Sequence, residues 1–274
     1  MVTIIIVSYN SAAVMRRCQH ELLSSGRFRV IVVDNASADG SAEQLKADYP
    51  AIEVIALDRN IGYGRGANVG LREVTTPYGF LVNPDLFVTP DDIDRLLQAA
   101  REHAGEATVF APAVKEKDHL CQGLLSREWV IGAAMLFDMA LLEKVGLFDE
   151  NIFLFYEEKD LCFRIRAQGG NILLVSDLYL EHLKGQACKP SDFVVHLKNW
   201  HVGWSSFYYL SKHDLQHGKH HPANILLRYS IKAFLSRDSD KRKRFRARLQ
   251  GIRAFLRGEP AFLENGQPQA AGAD

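Results

Sequence analysis

The sequence predicts an α/β fold in which helices flank a mixed, mainly parallel sheet of Rossmann-like design, followed by a C-terminal helical extension. Continuous β-branched runs at residues 2–8, 29–34, 52–57 and 79–82 are typical of parallel strands covered on both faces. Helical patterns separate these runs, and such alternation indicates right-handed crossovers. A chain of 274 residues with 47% hydrophobic content is long enough to fill one large core.

The spacing of apolar residues predicts two helices between these strands. The first buries a face formed by Val14, Cys18 and Leu22. The second begins at Thr89, an N-cap residue that is followed by a proline and by acids in the first turn. Its buried face consists of Ile93, Leu96, Leu97 and Ala100.

The organisation changes after the first hundred residues. We expect one nucleotide-binding half at 1–110 and a second half of the same domain at 111–187. Residues 188–257 are expected to be helical, and the polar composition of 258–274 predicts a disordered tail.

The formal net charge is zero, which argues against a general nucleic-acid binder. Residues 237–257 nevertheless hold nine Lys or Arg and two Asp. Their apolar residues Phe245, Leu249, Ile252 and Leu256 share one helical face. Two hypotheses have equal weight: this helix lies on an anionic membrane, or it packs on the rest of the chain.

The chain has no run of about 18 apolar residues, and the run Val2–Val7 is too short for a signal peptide. This pattern predicts a cytoplasmic location, with any membrane contact peripheral and at the inner face. The four cysteines have neither metal-site spacing nor a dense disulfide pattern, so we expect them to be reduced and mostly buried.

Polar residues follow each of the four predicted strands, where ligands bind in such sheets. They comprise Ser8-Tyr9-Asn10, Asp34-Asn35-Ala36-Ser37, Asn60 through Gly70, and Asn83-Pro84-Asp85. The Asp85 carboxylate suits a divalent cation bound to phosphate, although Asn-Pro-Asp also forms a plain turn. Asp34 is equally a turn residue or an acceptor for the imide of a pyrimidine base.

The glycine cluster from Gly62 to Gly70 allows a ligand to approach the backbone, and Arg65 adds a charge that suits phosphate. A dinucleotide fingerprint would follow the first strand and have glycine at position 67, which is Ala67 here. A hydride-transfer enzyme is therefore disfavoured, and the sequence has no Walker motif.

The segment 148–160 is dense in acids and aromatics. Adjacent carboxylates in such surroundings are expected to have a raised pKa, which suits a general base. The alternative is an ordinary helix start whose acids favour the helix dipole. His182 is a candidate metal ligand, although a lone His is more often structural.

The order of these motifs resembles family 2 of the inverting glycosyltransferases over about residues 2–187. The resemblance continues through Gly132-Ala133-Ala134, Val145 to Glu150, Phe155 to Leu161 and His182 to Gly185. Within the family, the Asn-Pro-Asp variant is most similar to bacterial rhamnosyltransferases that build O-antigen and other surface polysaccharides.

The resemblance implies a GT-A fold, transfer from dTDP-rhamnose or another dTDP- or UDP-linked sugar, and a glycan or lipid-linked acceptor. It also implies manganese or magnesium at Asp85 and His182, with Glu158 as the base and Glu157 beside it. The implied donor-binding residues are Ser8, Tyr9, Asn10, Asp34, Asn35, Asn60, Gly62, Gly64, Arg65, Asn68, Asn83, Asp85, Gly132 and Ala133.

Two positions depart from the family pattern. The base is usually Asp, so Glu158 reaches about one methylene further, and Glu157 is a possible substitute. Ala187 replaces a Ser that contacts phosphate.

Other functions remain open at this point. A sugar nucleotidyltransferase would have a Gly-rich, Arg-containing loop after the first strand, where this chain has Ser8-Tyr9-Asn10. A non-catalytic protein that binds sugar nucleotides would keep the pocket without the base.

Overall fold

The computed structural model describes residues 1–121, 123–183 and 191–269. Contacts divide the chain into two compact units. The first unit comprises residues 1–60, 65–148 and 158–189, and the second comprises 61–64, 149–157 and 190–274.

An eight-stranded sheet organises the first unit, with the order β3-β2-β1-β4-β7-β5-β8-β6. The strands are β1 Val2–Ser8, β2 Arg29–Asp34, β3 Glu53–Ala56, β4 Tyr78–Val82, β5 Val109–Ala113, β6 Leu124–Ser126, β7 Ala134–Asp138 and β8 Ile172–Tyr179. The β1–β2, β2–β3, β1–β4 and β5–β8 pairs are parallel, whereas β7 and β6 run antiparallel to their neighbours. The predicted mixed, mainly parallel sheet is confirmed.

Helices follow most of these strands. They are α1 Ala12–Ser24, α2 Ser41–Asp48, α3 Tyr63–Arg72, α4 Pro90–Glu102, α5 Glu116–His119, α6 Met139–Val145 and α7 Glu157–Ala167. Thr89 caps α4 as predicted, because its side chain accepts from the Asp92 N–H and the Asp92 carboxylate accepts from the Thr89 N–H. The faces of α1 and α4 predicted to be apolar contribute Leu22, Ile93 and Leu96 to the core.

Three long helices dominate the second unit: α8 Asp192–Lys212, α9 Pro222–Leu235 and α10 Ser239–Leu256. Helices α8 and α10 approach at two glycines. A Cβ on Gly203 would lie 2.1 Å from the Arg248 carbonyl oxygen, and one on Gly251 would lie 2.0 Å from that of Trp200. Only glycine allows the two backbones to come this close.

Of the two hypotheses for α10, the structure favours packing on the rest of the chain, since Leu249 and Ile252 are buried and Ile252 packs against Phe207 of α8. The expectation of a disordered tail needs correction. Residues 258–269 are ordered, with Ala261 buried and accepting a hydrogen bond from the Gln269 N–H at 2.8 Å. The rest of the expected tail, 270–274, lies outside the described residues.

The three cysteines within the described residues are free thiols. Cys18 and Cys162 are buried as expected, and burial raises the pKa of Cys162 to about 12. Cys121 is exposed, contrary to the expectation of burial. Cys188 lies outside the described residues. None of the described helices is long and apolar enough to cross a bilayer.

Candidate active site

Three of the predicted polar clusters meet at one edge of the sheet in the first unit. The parallel strands β1, β2 and β4 end at this edge, and β7 begins there because it runs antiparallel to β4. Ser8 and Asp34 are paired across β1 and β2, and Val82 is paired with Ala134 across β4 and β7. The residues that follow these strands are therefore neighbours.

Hydrogen bonds hold the loops after β1 and β2 together. The Asp34 carboxylate is 2% exposed and accepts from the Ser37 hydroxyl at 2.6 Å and the Ser37 N–H at 2.9 Å. The Asn10 N–H donates to the Ser37 hydroxyl, and the Asn10 side-chain oxygen accepts from the Ala38 N–H. The expected turn at Asp34 is formed, and it fixes the orientation of the carboxylate.

The neighbouring residues differ in exposure. Ser8 is fully buried, and its hydroxyl has no hydrogen-bond partner among the described residues. Its carbonyl accepts from the Asn35 N–H at 2.8 Å, whereas Tyr9 and Asn60 are half-buried. Ser8 therefore retains an unused donor at the end of β1.

Asp85 and His182, which are far apart in sequence, form a pair. The Nε2 atom of His182 lies 3.1 Å from Oδ1 of Asp85, which is 1% exposed. An isolated bridge between Leu86 and His182 and a hydrogen bond from the Leu183 N–H to the Asp85 carbonyl hold the two segments together. A carboxylate oxygen and an imidazole nitrogen are donors that Mn²⁺ accepts. The described residues contain no cluster of three or more such ligands.

A short chain of contacts links this pair to Glu158. The Asn83 N–H, two residues before Asp85, donates to the Ala133 carbonyl at 2.8 Å. A Cβ on the adjacent Gly132 would lie only 3.1 Å from the Glu158 Cβ. Asp85 and Glu158 thus approach the same edge of the sheet through the Gly132–Ala133 segment.

Gln19 was not identified from the sequence. This residue of α1 is fully buried, and its side-chain amide donates to the Asn83 carbonyl at 2.8 Å. It thereby fixes the turn that carries Asp85. The sequence did contain a signal for Gln19, since it is a polar residue next to Cys18 on the face of the helix that was predicted to be buried.

Two glycines of α3 pack against the sheet. A Cβ on Gly66 would lie 3.1 Å from the Val7 side chain, and one on Gly70 would lie 2.5 Å from that of Ile5. Close helix–sheet packing therefore explains these glycines, in place of the expected approach to a ligand. Arg65, in the first turn of α3, is half-buried.

Two further predicted donor-binding residues also have structural contacts. The Asn68 side chain donates to the Phe148 carbonyl and accepts from the Phe148 N–H, and it is buried. In the second unit, a Cβ on Gly62 would lie 2.3 Å from the Phe153 carbonyl oxygen. Gly64 is buried in the same unit. The contacts of Asn68 and Gly62 favour packing roles over donor binding.

The candidate bases lie at the start of α7. Phe155 and Tyr156 precede the helix with φ values of +65° and +71°, a left-handed conformation that is costly for bulky residues and clusters at functional sites. Glu157 is 6% exposed and belongs to the second unit, whereas Glu158 is half-buried and belongs to the first.

Other acids of the 148–160 segment are engaged in ion pairs. In the second unit, burial raises the pKa of Asp149, but hydrogen bonds from Lys212 and Tyr208 lower it by more, to about 2. In the first unit, fully buried Asp160 accepts from the Arg164 guanidinium at 2.9 Å. Neither acid is suited to act as a base, because each is held by a cation.

A basic cleft lies beside the Gly132 segment. Its volume is about 200 Å³, and its lining includes Lys115, Lys117, Arg127 and Trp129, together with Asp118, which pairs with Arg127 at 3.8 Å. The Trp129 ring is partly exposed, and the Lys159 ammonium lies 4.4 Å from its centroid. The sequence alone did not identify this cleft.

Comparison of the chain with known proteins indicates the family to which it belongs. The model of glycosyl transferase family 2 matches residues 3–160, which is more than half of the chain. The hexosyltransferase Agl10 of low-salt glycan biosynthesis from Haloferax volcanii is 26% identical over 200 residues, covering 62% of this chain and 63% of the relative. The N-acetylglucosaminyl-diphospho-decaprenol L-rhamnosyltransferase of Mycobacterium tuberculosis is 22% identical over 234 residues, covering 64% and 76%. The match thus spans less than two thirds of the haloarchaeal relative.

Solved structures share the fold at low sequence identity. The mannosyltransferase of Pyrobaculum calidifontis in complex with GDP-Man and Mn²⁺ superposes with a TM-score of 0.59 at 15% identity, covering 94% of this chain and 74% of that one. TarS 1–349 of S. aureus in complex with UDP-GlcNAc gives 0.58 at 14% identity, covering 94% and 92%. The sheet with its flanking helices is a GT-A-like fold. The chain belongs to glycosyl transferase family 2.

Proposed function

We propose that the protein is an inverting glycosyltransferase that moves a sugar from a nucleoside diphosphate to a hydroxyl group. One observation carries the proposal: the Asp85–His182 pair and Glu158 approach one sheet edge through the contacts of Asn83 with Ala133 and of Gly132 with Glu158. Asp85, His182 and Glu158 all belong to the first unit, which supports their roles in one site.

The proposed donor is a dTDP- or UDP-linked sugar, with dTDP-L-rhamnose as the first candidate. The name of the mycobacterial relative supports rhamnose, and the similar solved structures contain GDP-Man or UDP-GlcNAc. In this proposal the fixed carboxylate of Asp34 accepts from the imide of the base. The Ser8 hydroxyl, which has no partner among the described residues, donates to the nucleotide.

Asp85 and His182 would hold the cation, Mn²⁺ or Mg²⁺. Their oxygen and nitrogen donors fit such an ion, and diphosphate oxygens and water would supply its other ligands. When bound, the cation stabilises the negative charge that develops on the departing diphosphate.

Glu158 is the proposed general base. Its carboxylate takes the proton of the acceptor hydroxyl while that oxygen attacks the anomeric carbon from the face opposite the diphosphate, so the configuration inverts. Gly132 leaves space for the Glu158 side chain.

The proposed acceptor is a glycan or a lipid-linked saccharide. The basic cleft supports an acceptor that carries a phosphate near its sugar, because Lys115, Lys117 and Arg127 outnumber its acid Asp118, which pairs with Arg127. Trp129 offers the apolar ring surface on which a sugar can stack.

Thermal-shift measurements test the proposal directly. We expect dTDP-rhamnose or a UDP-sugar, at about a hundredfold excess over its Kd and with Mn²⁺ present, to raise the Tm by about 5–10 °C. Asp85→Asn should remove the dependence on Mn²⁺. The proposal would be wrong if none of the nucleotide sugars shifted the Tm and none released nucleoside diphosphate when an acceptor was added.

A further inference from the structure

Helix α9 has two apolar faces, and within the described part of the chain only one of them is covered. Ile225 and Ala233 are buried, and Tyr229 joins the cluster formed with Phe207 and Ile252. The opposite side is also apolar: Leu227, Ile231 and Phe234 recur at helical spacing, and Leu235 lies beside them. We call these four residues the outer face of α9.

The outer face is unusually exposed. Leu227 is 61% exposed, Ile231 47%, Phe234 85% and Leu235 66%. Of the twelve large hydrophobic side chains exposed in the described part of the chain, these four lie on one helix of 14 residues. Such clustering marks an interaction surface, because exposed apolar residues are normally scattered singly.

Cations border this face. Arg228 and Lys232 each follow an apolar residue of the outer face by one position and therefore flank it on the helix surface. Residues 222–246 hold eight Lys or Arg and two Asp in a chain whose net charge is zero. Asp238 accepts hydrogen bonds from the N–H groups of Asp240 and Lys241, and it also pairs with the Lys241 ammonium.

We infer that the outer face of α9 docks on the surface of an anionic phospholipid bilayer. The apolar side chains would enter the boundary between head groups and acyl chains, and the cations would meet lipid phosphates. With 14 residues α9 is too short to span the bilayer, so it would lie in the plane of the surface. The inference goes beyond sugar transfer and does not depend on it.

Charge complementarity favours a bilayer over a second copy of the chain. A symmetric dimer would place the same surface of both copies together, so the basic borders would oppose each other. An anionic bilayer instead satisfies both the apolar residues and the cations. The membrane surface is therefore α9, whereas the sequence had left the apolar face of α10 open between a membrane and the rest of the chain.

Co-sedimentation of the full chain with vesicles tests the inference without donor or acceptor. We expect binding to vesicles of equal parts phosphatidylglycerol and phosphatidylcholine, and at least tenfold weaker binding to phosphatidylcholine alone or at 0.5 M NaCl. Phe234→Ser/Leu235→Ser and, separately, Arg228→Glu/Lys232→Glu should each weaken binding at least tenfold. Leu120→Ser, at a residue that is 78% exposed elsewhere, is the matched control and should bind like the wild type.

Two results would overturn the inference. One is a vesicle result: either the wild-type protein stays in the supernatant with anionic vesicles, or the Phe234→Ser/Leu235→Ser variant binds them as well as the wild type does. The other is a result without lipid: the wild type is a dimer in sedimentation velocity and this variant is a monomer. The outer face would then serve self-association. Circular dichroism and the Tm check that each variant is folded, and a failure of sugar transfer alone would leave the vesicle result unchanged.

Discussion

At the residue scale, the candidate site depends on how closely Gly132 approaches Glu158. A Cβ on Gly132 would come within 3.1 Å of the Glu158 Cβ, so the acid must shift by a few tenths of an ångström to accommodate any side chain. Catalysis is sensitive to such shifts, because a proton can be transferred only over hydrogen-bonding distance.

Gly132→Ala should therefore lower kcat by about tenfold while the fold is retained. The kcat is measured from nucleoside diphosphate release with saturating donor and acceptor, and the Tm should stay within about 3 °C of the wild type. An unchanged kcat would show that the position of Glu158 is not critical.

At the residue scale, the sequence predicted that Asp34 and Asp85 lie at one edge of the sheet, because polar residues after parallel strands share an edge. The structure has both residues at that edge, and their roles in binding stay predictions. The packing roles of Gly66 and Asn68 were missed. From the sequence alone, a glycine or an asparagine that contacts a ligand cannot be distinguished from one that contacts a neighbouring backbone segment. The structure distinguishes the two by the contacts of Gly66 with Val7 and of Asn68 with Phe148.

At the scale of elements, the contact between α8 and α10 rests on two glycines. Carbonyl oxygens of the facing helix occupy the space where the side chains of Gly203 and Gly251 would be. Backbone atoms cannot move aside as a flexible side chain does, so these contacts fix the distance between the helices. The sequence predicted the apolar face of α10 but not what this face contacts. A membrane and a protein surface both require the same spacing of apolar residues on a helix.

Gly251→Ala should destabilise the protein by about 2–3 kcal/mol, because the added methyl would overpack the contact with the Trp200 carbonyl. Urea unfolding followed by circular dichroism measures the change. Arg253→Ala, at an exposed position of the same helix, is the control and should change stability by no more than about 0.5 kcal/mol. Equal stability of the Gly251→Ala variant and the control would refute the close approach.

At the scale of the whole molecule, the sequence predicted the β3-β2-β1-β4 half of the sheet better than the rest. Those four strands are apolar runs separated by clear helices. The order of β7, β5, β8 and β6 did not follow from the sequence, because β6 has only three residues and β7 inserts antiparallel between β4 and β5, which are consecutive strands in the chain. The division into two units also depends on contacts between distant segments.

One buried histidine makes the stability of the second unit depend on pH. Burial lowers the pKa of His201 to about 3, against about 6.5 in the unfolded chain. The native state therefore stays neutral at this residue while the unfolded state takes up a proton below pH 6.5. The contribution of neutral His201 to the free energy of unfolding is complete above pH 6.5. It is lost progressively as the pH falls toward 3.

Lowering the pH from 7.5 to 5 should thus cost about 2 kcal/mol through His201 alone. Urea unfolding of the wild type and of His201→Gln at both pH values measures it. The variant should be less stable at pH 7.5 but lose about 2 kcal/mol less on acidification, whereas His217→Gln, at an exposed position, should behave like the wild type. The same acid sensitivity in His201→Gln would assign the effect to other groups.

The rate of sugar transfer by Glu158→Gln is the most direct test of the central claim, because the amide keeps the shape of the side chain and removes its basicity. With donor, Mn²⁺ and acceptor saturating, transfer should fall by about 10²–10⁴-fold relative to the wild type, while the Tm shift caused by the donor is retained. Transfer within tenfold of the wild type would contradict the assignment of Glu158 as the base.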